Sequence, residues 1–150
     1  MSILSWGKPK LEYATSTGGE AGTSASWTEL DTPKEDTTQL TTTAGEEVTA
    51  TEEGGAVVDT RYKKTTYQLE FDLFVKKGQE KPFTDSDGVI SGEYALRLTP
   101  EDESCEGILI DRCVIRVEES YTAADGKMMH FVCKALKPKT GNTVKAYTKS

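Results

Sequence analysis

A chain of 150 residues is the size of one domain, and its formal net charge of -7 argues against a basic surface for nucleic-acid backbones. Hydrophobic residues make up 35% and aromatics 8%, a low share but one concentrated in strand-like runs, so a folded core with polar excursions is expected and global disorder is excluded. No run approaches the roughly 18 apolar residues of a membrane-spanning helix.

Residues 1–10 carry neither a basic n-region nor an apolar h-region, so no secretory signal is expected there. Residues 11–14 and 26–30 read as short strands bearing aromatics. Residues 37–66 are mostly Thr, Val, Ala and Glu, of which Thr and Val favour extended backbone. Residues 37–52 and 57–66 therefore read as the two sides of a long hairpin turning at Glu53-Gly54-Gly55. Such an arm has little apolar surface, and an isolated hairpin is marginal in water, so it is expected to need a partner.

Residues 65–75 have strict period two. Tyr67, Leu69, Phe71, Leu73 and Val75 fall on one face, and Thr66, Gln68, Glu70 and Asp72 on the other, with Phe74 interrupting the polar face. This predicts a half-buried antiparallel strand. Residues 79–84 hold at most one helical turn, because Lys81-Pro82 interrupts it. Asp85-Ser86-Asp87-Gly88 resembles the opening of a calcium loop, yet Val89 and Leu96 stand where a third acid and the bidentate glutamate belong. A turn is expected instead. Residues 93–99 place Tyr94, Leu96 and Leu98 inward and end at Pro100.

Residues 108–121 and 128–136 read as two strong strands joined by Thr122-Ala123-Ala124-Asp125-Gly126-Lys127, a loop signalled by Asp-Gly. Pairing Thr122 with Met128 puts Cys113, Ile115, Val117 and Tyr121 on one face with Met129, Phe131, Cys133 and Ala135. It sets Val117 opposite Cys133, so Cys113 and Cys133 are four residues, or about 13 Å, out of step, too far for a disulfide. Lys137-Pro138-Lys139-Thr140-Gly141-Asn142 reads as an exposed basic loop, or as a contact to acid on a neighbouring copy. Residues 143–147 complete the set as a closing edge strand. The sum is an all-β fold: an antiparallel β-sandwich or barrel of about eight strands, with at most one short helix, forming a single domain over 1–150 with an arm protruding at about 37–66.

Few residues suit chemistry. His130 is the sole histidine and points away from the Met129 and Phe131 face, so it reads as solvated, and no second histidine completes a zinc site. Three cysteines at wide spacings, Cys105, Cys113 and Cys133, do not form a disulfide framework or a zinc pattern. Cys113 and Cys133 read as small buried apolar residues in a reducing compartment. There is no phosphate-cradling glycine loop and no nucleophile elbow. The pairs Glu46-Glu47, Glu52-Glu53, Glu101-Asp102 and Glu118-Glu119 are neighbours along a strand, which point to opposite faces. No catalytic residue, cofactor or metal is expected, and the chain does not read as an enzyme.

The segment "WTELDTPKEDTTQLTTTAGEEVTATEEGG", Trp27 to Gly55, resembles tail tube (major tail) proteins of tailed bacteriophages: an aromatic strand, a polar "PKEDTTQLTTT-G" stretch and an acidic "EGG" turn. The strand from Tyr67 to Val75, "EYALRLTPED" and "ALKPKTGN" are compatible with the same group, so the resemblance covers the middle two-thirds of the chain. Many tube proteins carry a flanking helix, whereas residues 76–91 here offer only a short turn. The family is similar to the tube proteins of contractile injection systems. The resemblance implies two packed antiparallel sheets, rings of six subunits stacked into a hollow tube, and passive passage of DNA without specific binding. It implies as partners other copies of the chain and other tail proteins, with no membrane, in the virion tail after a stay in the host cytoplasm.

Under that reading the residues expected to contact a neighbouring subunit are Thr37, Thr38, Leu40, Thr41, Thr42, Thr43, Val48, Val57 and Val58, and residues 37–66 are expected to be poorly ordered in a monomer. A conduit must not hold phosphate, and an acidic wall repels it over a Debye length of roughly 8 Å at physiological salt. Glu70, Asp72 and Glu118 are the residues expected to line such a lumen. Two other readings compete. A bacterial cell-surface immunoglobulin-like adhesion module shares the sandwich, the acidity and the threonine content. A small-ligand-binding barrel is the third, although no pocket is marked in the sequence.

Overall fold

A computed structural model describes residues 3–20, 27–79 and 81–148; Ser26 of the expected strand 26–30 and Glu80 of the expected turn 79–84 lie outside the described residues. The described residues form twelve strands and no helix: β1 (Lys10–Thr15), β2 (Thr28–Glu29), β3 (Gln39–Thr43), β4 (Glu47–Thr51), β5 (Val57–Tyr62), β6 (Thr66–Phe74), β7 (Asp85–Ser86), β8 (Val89–Ile90), β9 (Tyr94–Thr99), β10 (Gly107–Thr122), β11 (Gly126–Ala135) and β12 (Lys145–Tyr147). Ten of them make one antiparallel sheet in the order β2-β1-β9-β10-β11-β6-β3, with β12 and β8 also on β10 and β7 on β8; β4 and β5 stand apart as a two-stranded ladder. The expected all-β antiparallel fold is thus observed.

The spine is β10, whose 16 residues serve both limbs of the sheet. Its first part pairs with β9 and with β12, its last part with β11, and Arg116 pairs with Val89 of β8. Ile108 and Ile110 face the core, and so do Cys113, Ile115 and Val117, so the inward phase slips from even to odd numbers. A bulge between Ile110 and Cys113 makes the slip. Charged side chains at the bulge are paired: Asp111 with Lys145 of β12, and Arg112 with Glu93 at 2.7 Å.

The two limbs share one core, so the sheet is rolled around it. Leu11, Leu96 and Ile110 come from one limb, and Leu69, Phe71, Leu73, Met129 and Phe131 from the other. Phe83, from the loop after β6, joins them, with ring centroids 4.6 Å from Tyr13 and 5.8 Å from Phe131. The loop read as holding at most one helical turn has a turn at 76–79 and this aromatic plug. It then makes the small β7–β8 hairpin. There Asp87 and Gly88 take φ of 50° and 88°, as a two-residue hairpin turn requires, and Asp85 Oδ2 accepts the Gly88 amide at 2.9 Å.

Three expectations are corrected in detail. Thr122 pairs with Gly126, not Met128, because the loop tightens to Ala123-Ala124-Asp125 with Gly126 at φ 77°. The shift is even, so every side chain keeps its expected face. Val117 now faces Phe131, Ile115 faces Cys133, and the two cysteines are two residues out of step instead of four. Burial first, and then the neighbouring Cys113, push the Cys133 thiol well above its ordinary pKa; all three cysteines are free. Tyr121 shares the core parity but is 75% exposed, because the β10–β11 hairpin runs past the core.

The third correction concerns the arm. Residues 37–52 do not form one side of a hairpin. Gln39–Thr43 joins the main sheet as an edge strand on β6, with Leu40 opposite Leu69 and packed on the core. Only Glu47–Tyr62 projects as a hairpin, with Glu47 opposite Tyr62. Gly45 makes the break possible: a Cβ there would lie 1.8 Å from the Lys63 carbonyl oxygen. At the other end the expected Gly54-Gly55 turn is present, with φ of 95° and 92°.

Candidate functional site

The residues expected to contact a neighbour fall into two groups. Thr37 is a local tether: its hydroxyl donates to Lys34 O at 2.7 Å and accepts the Asp72 amide at 3.2 Å. Leu40, Thr41, Thr42 and Thr43 lie on β3, the terminal strand of the sheet order, and Thr38 precedes it. Val48, Val57 and Val58 lie on the projecting hairpin. Val57 is 62% and Val58 65% exposed. Tyr62, 73% exposed, belongs with them and was not singled out from sequence. Its parity with Val58 along β5 was the available signal.

The hairpin is closed by its own hydrogen bonds. Lys63 N donates to Glu46 O at 2.9 Å at the base, and Glu52 N donates to Ala56 O at 3.0 Å at the tip. Val48 is half-buried, whereas Val57, Val58 and Tyr62 stand exposed on it.

Glu70, Asp72 and Glu118 do share one outward face, on β6 and β10, with β11 between them. Asp72, His130 and Glu118 form one cross-strand row, and Glu70, Val132 and Arg116 the next. Arg116 approaches Glu118 at 3.8 Å, and Lys134 lies opposite Gln68 one row further on. The acidity of this face is therefore interleaved with cationic groups.

His130 points outward as expected, but it is held and not simply solvated. Its Nδ1 contacts Asp72 Oδ1, and its Nε2 lies 3.2 Å from Glu70 Oε1. Burial lowers its pKa, but the hydrogen bonds and charges of Asp72 and Glu70 outweigh that and raise it above the ordinary value. Burial likewise pushes Glu70 up, and hydrogen bonds from Gln39, His130 and Gln68 with the His130 charge bring it below the ordinary carboxylate value. The His130 contacts depend on the register of β6 with β11, strands with no short link in the chain.

A cleft of about 730 Å³ opens between residues 5–9 and 32–40. Leu40, Leu69, Leu98 and Ile108 form its apolar floor, and Lys8, Lys34, Glu35 and Asp36 stand among its lining residues. Charge of both signs there selects no ligand chemistry. Among the described residues no cluster of His, Cys, Asp or Glu is arranged to hold a metal ion, and no helix is long and apolar enough to cross a membrane. No family model matches the chain, and no curated protein matches it either.

Proposed function

We propose that the chain is the structural subunit of a bacteriophage or prophage tail tube, which self-assembles into stacked rings, six subunits to a ring, around a passive conduit for DNA. The observation that carries this reading is the hairpin Glu47–Tyr62, which projects from the sheet with Val57, Val58 and Tyr62 each more than 60% exposed. A lone two-stranded ladder is marginally stable in water, and exposed apolar side chains on it suit burial against another subunit. The outer edge of β3 is a second surface suited to contact between copies, since an unpaired strand edge templates pairing with another chain. A second copy is the natural occupant of both, because ring assembly uses identical surfaces repeatedly. The net charge of -7 supports a conduit that repels phosphate. The Glu70, Asp72 and Glu118 face supports it less, because Arg116, Lys134 and His130 offset its acidity. In this role the protein works in the virion tail beside other tail proteins.

Electron microscopy of the concentrated protein tests the reading, with sedimentation to follow association. Hollow rings or tubes are expected from the native chain. The double variant Val57→Asp, Val58→Asp is expected to stay monomeric with an unchanged circular dichroism spectrum, because both side chains are exposed. Persistent monomers of the native chain at high concentration, with affinity for a host glycan or protein, would overturn the proposal in favour of an adhesion module.

A further inference from the structure

A side-chain network runs across three strands of the outer face. His130 of β11 touches Asp72 and Glu70 of β6 with its two ring nitrogens. Glu70 in turn accepts from Gln39 Nε2 and from Thr41 Oγ1 of β3, each at 3.4 Å. Asp72 is joined to the segment before β3 through its backbone, to Lys34 N at 2.9 Å and to Thr37 Oγ1 at 3.2 Å. The edge strand, and the hairpin that continues from it, are thus tied to the sheet partly through the Glu70 carboxylate and the Asp72 backbone, the two residues whose side chains grip one imidazole.

That grip depends on protonation. A carboxylate only accepts, and a neutral imidazole carries one N–H. Both ring nitrogens can donate only in the imidazolium form. With the proton gone, one nitrogen presents a lone pair to a carboxylate, and that contact must open. Asp72 lies directly opposite His130, whereas Glu70 is opposite Val132 and reaches diagonally, so Glu70 is the partner that leaves.

We propose that His130 is a proton-operated latch whose imidazolium bridges Asp72 and Glu70 and holds β3 and the following hairpin on the sheet. Loss of the proton frees Glu70 and loosens that edge. The other charges around the ring come from β10 and from β11 itself. Glu118, on the opposite side in the same row, favours the proton, while Arg116 and Lys134 oppose it. β3 contributes only the neutral Gln39 and Thr41 to the network. Because the His130 pKa is raised on folding, the latch contributes fully below the ordinary value of 6.5 and is lost as pH rises through the folded value. The latch stands independently of the tube reading, since it operates within one subunit.

The sole histidine gives a clean probe. An NMR titration of its ring is expected to show a midpoint above 6.5, and Glu70→Gln is expected to lower that midpoint. Hydrogen exchange at residues 39–43, corrected for intrinsic rates and measured on either side of the midpoint, is expected to show protection several-fold weaker on the alkaline side. In His130→Gln that difference is expected to vanish. A midpoint at or below 6.5, a midpoint unmoved by Glu70→Gln, or a protection step that persists in His130→Gln would each overturn the latch.

Discussion

Arg97 shows how much one side chain can organise in a fold with so few apolar residues. Its Nε and Nη2 reach the two oxygens of Glu12 at 3.0 and 3.1 Å, in a cross-strand pair between β1 and β9. Its guanidinium lies 4.4 Å from the Trp27 ring centroid and 5.3 Å from that of Tyr147. One planar cation therefore joins the segment before β2, β1, β9 and β12. Lysine keeps the charge but loses the fork and the stacking plane. Arg97→Lys is expected to cost about 1–3 kcal/mol, from the weakened cation–π contacts and one lost charge-assisted hydrogen bond. Urea unfolding checks it: the midpoint should fall with the slope unchanged. A variant as stable as the native chain would show that Trp27 and Tyr147 merely flank the site. At this scale, alternation makes directions legible in sequence. It turns His130, Glu70 and Asp72 outward and Leu69, Phe71 and Leu73 inward, as the structure has them. Partners are not legible, because the Glu12–Arg97 contact spans 85 residues and depends on which strands pair.

For whole elements, β10 and the threonine-rich segment teach opposite lessons. The β10 bulge was written in the sequence as the slip from Ile108 and Ile110 to Cys113, Ile115 and Val117 across Asp111-Arg112. Reading residues 108–121 as one uniform strand passed over it. The division between β3 and the β4–β5 hairpin has a fainter signal: threonines run on both sides, and only Leu40 and the crowded Gly45 mark the change. Leu40 can reach the core and Val57 and Val58 cannot, which is why one part lies on the sheet and the other stands off it. The expectation of poor order over 37–66 accordingly narrows to the hairpin. Brief digestion of the dilute monomer with an unspecific protease should nick first within residues 47–62, around the Glu53-Gly54-Gly55 tip, and leave 39–43 and 66–74 intact. First cuts inside 39–43 would mean that β3 is not held on β6 in solution.

Across the whole molecule, composition and period two were enough for an all-β antiparallel fold, but not for its wiring. β1 pairs with β9 and β6 with β11, and such distant pairings are set by how the whole sheet rolls onto one core, not by any local pattern. Net charge acts at this scale too. Each copy carries -7, so copies repel wherever their fields overlap. If the contact between copies is the apolar hairpin, salt should help it form. The Debye length falls from about 30 Å at 0.01 M to about 10 Å at 0.1 M, which screens repulsion while leaving apolar burial intact. Sedimentation equilibrium is therefore expected to show stronger self-association at the higher salt, and none at either salt for Val57→Asp, Val58→Asp. The opposite trend would point to contacts between opposite charges. The 137–142 loop would then be the place to look, although its Lys139 already lies 3.5 Å from Glu20 of the same chain. A contact made by that loop would weaken with salt, and it would survive the loss of both valines, so the two measurements together separate an apolar arm from an electrostatic one.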